Sequence, residues 1–281
     1  MTDREERRRE PGVVDLGQSI EAITLDFGNT LVPFPSASMS GVLSETAARA
    51  AARGRFAAEE FARGWGEERL RQFAEDVPRG READMDVRAA RVLARLRGHS
   101  APQSQERWEE AEAAGWSSPD EIEAILDDYA TAFVRQTPVP PEVGPLLATL
   151  AARYPVAILS NWPIAIAVER YVEAAGWSAH LSAVVISQRV GFAKPRPEVF
   201  WTAARALNVA SGPRLLHAGD DLGADVAGAQ AVGWRAAWVR VRPEDSPLPV
   251  AKSSGRERPD LIVDRVTDLP RALGLGARSR P

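Results

Sequence analysis

The run Ile20-Glu21-Ala22-Ile23-Thr24-Leu25-Asp26-Phe27-Gly28-Asn29-Thr30-Leu31 decides how the rest of the chain is read. Ile20 to Leu25 is short, apolar and rich in β-branched residues, so it reads as a buried strand. Its carboxyl end presents Asp26. Gly28 and Asn29 then supply turn chemistry, since both tolerate positive φ.

Outward from this strand the texture changes. From Ser36 to Thr137 the chain is rich in Ala, Glu and Arg, with apolar residues at helical spacing. Segments near 41–53, 57–75, 82–98, 104–114 and 119–135 read as amphipathic helices. Gly54, Gly80 and Gly98 punctuate them, and Ser118-Pro119-Asp120 marks a helix start. Trp65, Trp108 and Trp116 are expected to pack these helices together. No strand is evident, so the stretch is expected to be an all-helical insert.

Beyond Pro138 and the Pro140–Pro141 pair, helices and strands alternate. Helices near 141–152, 163–175, 196–207 and 222–232 alternate with strands near 155–159, 182–186, 213–218, 235–240 and 260–263. Such alternation predicts an α/β fold, a doubly wound parallel sheet with helices on both faces. The expected organisation is a tail at 1–16, a core of 17–35 with 138–273, the insert at 36–137, and a second disordered tail at 274–281. Residues 243–259, rich in Pro, Ser and Gly, read as a loop.

Composition excludes several classes. The 281 residues include 44% hydrophobic and 26% charged side chains, ordinary for a soluble globular protein. A net charge of −4 provides no basic field for nucleic acid or anionic lipid. The absence of cysteine removes thiol nucleophiles, Cys-bound zinc, iron–sulfur clusters and disulfides. His99, His180 and His217 are too few for a multi-histidine metal site, and His217, inside a predicted strand, reads as a core residue. No apolar run approaches the ~20 residues of a membrane span, and the charged N-terminus is no secretory signal. A cytoplasmic location is expected. Only two of the 35 basic residues, Lys194 and Lys252, are lysines, which marks them as positions where an ammonium is needed.

Ligands of doubly wound sheets bind beyond the carboxyl ends of the strands. Those ends carry Asp26, then Ser160-Asn161, then Lys194, then Asp220, Asp221 and Asp225. Three carboxylates gathered there repel one another unless a hard divalent cation joins them. Oxygen donors without His or Cys favour Mg2+. That cation with a lysine and a hydroxyl suits a phosphate, and a free carboxylate beside it suits in-line attack on phosphorus.

The arrangement resembles the haloacid dehalogenase superfamily over nearly the whole chain, with four motifs in order at strand ends. The resemblance implies that Asp26 is the nucleophile and that Thr30 completes the first motif. It makes Lys194 catalytic, Thr30, Ser160 and Lys194 substrate-binding, and Asp26, Asp220, Asp225 and the Gly28 carbonyl the metal ligands. Asn161, beside Ser160, is counted with the substrate-binding residues. The helical insert looks like the family's cap. A small phosphorylated molecule is the implied substrate, and the one macromolecular partner entertained is a second copy of the chain.

One departure matters. Phosphatases of that superfamily usually carry a second aspartate two residues after the first, where this chain has Gly28. The resemblance therefore leaves three outcomes: a phosphatase without its acid, a metal-independent 2-haloacid dehalogenase, or a non-catalytic phosphate- or metabolite-binding relative. Dehalogenases replace the first acid of the fourth motif, whereas Gly219-Asp220-Asp221 is kept here. Phosphonate-cleaving members need a cap lysine, and residues 36–137 contain none.

Overall fold

The computed structural model describes residues 16–75, 84–99 and 117–275. The predicted helix at 104–114, Trp108, Trp116 and most of both tails lie outside them. At the inner ends of those tails, Leu16 and Leu275 pack on the core, and the Tyr154 hydroxyl donates to the Gly17 carbonyl at 2.7 Å.

Strands β1 (Ala22–Leu25), β2 (Val156–Ser160), β3 (Ala183–Ile186), β4 (Leu215–Gly219), β5 (Arg235–Val239) and β6 (Leu261–Val263) form one sheet. Their order is β3-β2-β1-β4-β5-β6, and every neighbouring pair is parallel. β1 is central, and the order reverses direction beside it. Chain ends at β1 and β4 therefore diverge to opposite sides and open a crevice at their carboxyl ends.

Side chains alternate across β1. Ile23 and Leu25 enter one apolar core, while Ala22 enters the other. The first core holds helices α5 (Val143–Ala151) and α6 (Ala165–Ala174) against the sheet; the second holds α7 (Pro197–Ala206) and α8 (Ala227–Ala231). This burial on both faces is what the continuous apolar strands require.

Between β1 and β2 the described residues form α1 (Ser36–Arg53), α2 (Ala58–Glu75), α3 (Met85–Leu96) and α4 (Pro119–Gln136). The first begins earlier than its apolar periodicity suggests, because Pro35 in an extended conformation sets its start. Ser118 caps α4 as predicted, with a reciprocal capping box to Glu121 and Pro119 at the first turn. Asp84 caps α3 by accepting from the backbone N–H groups of Asp86 and Val87. Trp65 packs inside the insert as expected, stacked with Phe61 and Tyr129.

One aromatic cluster joins insert to sheet. Phe133 on α4 meets Phe27, Phe34, Trp162 and Tyr171 at ring distances of 5.3–6.3 Å. Trp162 is buried in this cluster and also borders the cavity. Phe133→Ala should destabilise the protein by about 3–5 kcal/mol, read as a lower urea midpoint.

Candidate active site

Lys194 organises the crevice. It is 5% exposed, and its ammonium donates to Asp26 Oδ1 at 2.8 Å, Asp225 Oδ1 at 2.6 Å and the Leu159 carbonyl at 2.8 Å. All three donors of the ammonium are thereby used. Burial opposes its charge, but Asp225 and Asp26 outweigh burial and hold the Lys194 pKa above its ordinary value. Removing one member of such a buried set leaves an uncompensated charge, at a cost of about 3–5 kcal/mol.

Asn161 fixes the lysine's backbone. Its side-chain oxygen accepts from Lys194 N at 2.6 Å, and its amide donates to the Lys194 carbonyl at 3.0 Å. The helix expected from position 163 starts two residues later, at Ala165, whose N–H is met by Gln188 Oε1 at 2.6 Å. Ser160 lies at the end of β2 and borders the cavity. No group among the described residues claims its hydroxyl, which is thus available to a ligand.

Asp225 sits in the tight turn after β4. It accepts from Lys194, from Asp221 N at 2.9 Å and from His217 Nε2 at 3.0 Å. An ionised carboxylate can only accept, so Nε2 carries the proton and His217 Nδ1 accepts from the Thr24 hydroxyl at 2.8 Å. Burial first, then Lys194, lowers the His217 pKa. His217 is therefore a neutral strut behind Asp225, consistent with its reading as a core residue. Burial would raise the Asp225 pKa, but Lys194 and His217 hold it well below the usual carboxylate range. Gly219 is required here, because a Cβ would lie 2.2 Å from Asp225.

Asp220 faces the same space from the other side. Arg242 donates to its Oδ2 at 2.7 Å, and Thr30, whose hydroxyl is 3.4 Å from Oδ1, points to Asp220 and does not border the cavity. Asp26, Asp220 and Asp225 each bring a carboxylate oxygen within 4.8 Å of the others. Without a cation, burial and then the charges of Asp26 and Asp225 push Asp220 up to about 8, against the pull of Arg242. Burial likewise raises Asp26, with Lys194 opposing. An all-oxygen donor set under this repulsion fits a hard divalent cation. Asp221 serves as a cap, accepting from Gly223 N, Ala224 N and Ala251 N.

The turn after β1 differs from expectation in one respect. Asn29 adopts the left-handed conformation with φ 58°, but Gly28 does not. Gly28 instead answers a packing demand. A Cβ there would lie 2.8 Å from Leu248 Cδ1 and 3.3 Å from Trp162. Leu248 belongs to the irregular segment 240–260 between β5 and β6, which also supplies Arg242 and Ser246, the latter hydrogen-bonded to Asn29 at 3.1 Å. These contacts carry no sequence motif. The one available signal was length, because a loop this long inside a compact domain is usually functional.

A cavity of about 930 Å3 opens above these groups, walled by the insert and by the β5–β6 loop.

The haloacid dehalogenase-like hydrolase profile matches residues 20–233. The chain belongs to that family. Among curated proteins, a phosphoserine phosphatase of Thermus thermophilus is 38% identical over 124 residues, covering 42% of this chain and 49% of the relative. A 5-amino-6-(5-phospho-D-ribitylamino)uracil phosphatase of Escherichia coli is 32% identical over 131 residues, covering 47% and 51%. This chain thus spans about half the length of the curated relatives it matches. Among solved structures, a 2-haloacid dehalogenase from Pseudomonas syringae superposes with TM-score 0.62 at 22% identity, covering 91% of this chain and 98% of that one. A magnesium-bound HAD-hydrolase from Bacillus subtilis superposes with TM-score 0.56 at 15% identity, covering 90% and 98%. These structural likenesses establish the fold: a Rossmann-like parallel sheet with a helical insert. No described helix is long and apolar enough to cross a membrane.

The Asp220 shift makes cation binding pH-dependent. A cation needs the ionised carboxylate, so binding below about pH 8 expels a proton. Affinity for Mg2+ should rise about tenfold per pH unit between pH 6 and 7.5, measured by titration calorimetry. In the metal-free protein the folded state holds the Asp220 proton more tightly than the unfolded chain. That contribution to stability is full below the ordinary value of 3.8 and is lost as pH rises through about 8. The increase in Tm produced by Mg2+ should therefore be larger at pH 8.5 than at pH 6.5.

Proposed function

We propose that this hydrolase cleaves phosphate monoesters through a phosphoryl group carried on Asp26, with Mg2+ as cofactor, and that residues 36–137 act as a cap over a core of 17–35 and 138–273. The observation that carries this reading is the buried Lys194 ammonium held between Asp26 and Asp225 at the floor of the cavity. It leaves Asp26 a positioned nucleophile beside an acidic cluster suited to a cation. Phosphatase activity in the two curated relatives supports the same chemistry.

Asp26, the Gly28 carbonyl, Asp220 and Asp225 would hold Mg2+, which would neutralise the phosphoryl oxygens when bound. In the first step an oxygen of Asp26 bonds to phosphorus as the phosphorus–ester oxygen bond breaks. The leaving oxygen takes a proton from water, since Gly28 has none to give. In the second step water attacks phosphorus, the bond to Asp26 opens, and inorganic phosphate is released. The Ser160 hydroxyl holds the transferring group, Lys194 orients Asp26 and supplies positive charge beside that group, and Asn161 keeps the lysine in position. Thr30 acts on the cluster through Asp220. The substrate is a small molecule, and the protein works in the cytoplasm without nucleic acid or membrane as partner.

The apolar filling beside Gly28 favours leaving groups that need no proton, which gives a second reading: release of halide from a 2-haloacid by attack of Asp26 on carbon. The two readings separate cleanly. With p-nitrophenyl phosphate, turnover should require Mg2+ and fall on the order of a thousandfold or more in Asp26→Asn. Turnover that survives this substitution removes the phosphatase reading, and chloride release from 2-chloropropionate in EDTA replaces it with the second.

Acid–base help is typically worth ~10²–10⁴-fold, but Leu248 occupies the space for it. Gly28→Asp alone should therefore give no gain on an unactivated ester such as β-glycerophosphate. Gly28→Asp with Leu248→Ala should raise kcat by about tenfold or more, read by phosphate release.

A further inference from the structure

The cavity is polarised. Its acidic side chains, Asp26, Asp220, Asp221 and Asp225, all lie at the sheet edge. Among the described residues the insert contributes no acid to it; it supplies apolar side chains including Trp65, Phe73 and Tyr129, together with Arg69 and Arg88. Neighbouring arginines of the insert are neutralised: Arg91 and Arg95 reach Glu68 at 3.5 and 2.8 Å. Arg242, on the opposite wall, is already engaged by Asp220 at 2.7 Å.

Arg69 is different. Among the described residues it has no carboxylate partner. Its guanidinium lies over the Phe73 ring, 4.6 Å from the centroid, and one of its five N–H donors reaches an acceptor, the Pro247 carbonyl of the β5–β6 loop. Burial lowers its pKa, with only the Tyr129 phenol and no carboxylate opposing the effect. A half-buried guanidinium with spare donors is a costly group to keep at a cavity wall unless an anion meets it. Arg88, over Trp65 at 5.4 Å, adds to the positive potential around Tyr129.

We infer that Arg69 forms an anion subsite for a second acidic group of the substrate, separated from the phosphate by a flat apolar body that packs on Trp65, Phe73 and Tyr129. This rests on the phosphatase reading for the identity of the first group, and the subsite itself stands on cavity geometry. A volume of about 930 Å3 suits a ligand of drug-like size, and an amino-acid-sized ester would leave most of it to water. The substrate class is thus an aryl or similarly planar phosphate monoester bearing a carboxylate or other anion at its far end.

The test compares 2-naphthyl phosphate with 6-carboxy-2-naphthyl phosphate, and measures binding of 2-naphthoate by quenching of tryptophan fluorescence. In the wild type the carboxylated ester should have the higher kcat/KM by about tenfold or more. Arg69→Gln, which keeps a donor for the Pro247 carbonyl but removes the charge, should abolish that preference and weaken 2-naphthoate binding about tenfold. Its kcat/KM for 2-naphthyl phosphate should fall by less than its kcat/KM for the carboxylated ester. Arg69→Lys should retain most of the preference, which separates charge from folding. Equal kcat/KM for the two esters in the wild type, or a preference that survives Arg69→Gln, overturns the subsite. If neither ester is cleaved but 2-naphthoate binding depends on Arg69, the phosphatase reading fails and the subsite stands.

Discussion

An ammonium group buried between two carboxylates is the interaction on which the site depends. Lys194 comes from the segment between β3 and α7, Asp26 from the end of β1, and Asp225 from the turn after β4. Three separate strand ends are thus tied at one point where the sheet order reverses. Each charge is affordable only because the others are there: Asp225 needs Lys194 and His217, and Lys194 needs both acids and the Leu159 carbonyl. Asp220 is the member left over. It is repelled by its neighbours and steadied by Arg242, so it is the group that feels the arrival of a cation most directly.

This division assigns different tasks to different parts of the chain. The sheet supplies charge and rigidity, with Thr24 and His217 reaching from inside it to brace Asp225. The insert and the β5–β6 loop supply shape. They meet each other where Ser36 N donates to Asp245 at 3.0 Å and where Arg69 reaches the Pro247 carbonyl. The loop also reaches the turn after β1 through Ser246 and Leu248.

The parallel sheet was legible because each strand is a continuous apolar run, and β1 to β6 fall within a residue or two of the expected positions. Asp26, Lys194, Asp220 and Asp225 were legible because they stand at strand ends, where topology alone brings them together. The contact of Thr30 with Asp220 was not legible, since spacing places a residue near a site without saying which oxygen its hydroxyl meets. Gly28 was read as a turn residue, yet its neighbour Asn29 bears the positive φ and Gly28 admits Leu248. That contact joins residues more than two hundred positions apart, in a loop with no periodicity. Arg69 was hidden for a related reason: on a helix rich in arginine, only the surroundings distinguish a solvated cation from one enclosed in a cavity.

The β5–β6 loop sits between two strands at one margin of the sheet, and the pairing of β5 with β6 does not involve it. Its length and sequence can therefore drift with little penalty to folding. Because Leu248 makes the tightest approach to Gly28, such drift bears directly on which leaving groups the nucleophile can serve. A lineage could exchange one chemistry for another by revising position 248 of a peripheral loop, so long as Arg242 and Ala251 keep their bonds to Asp220 and Asp221.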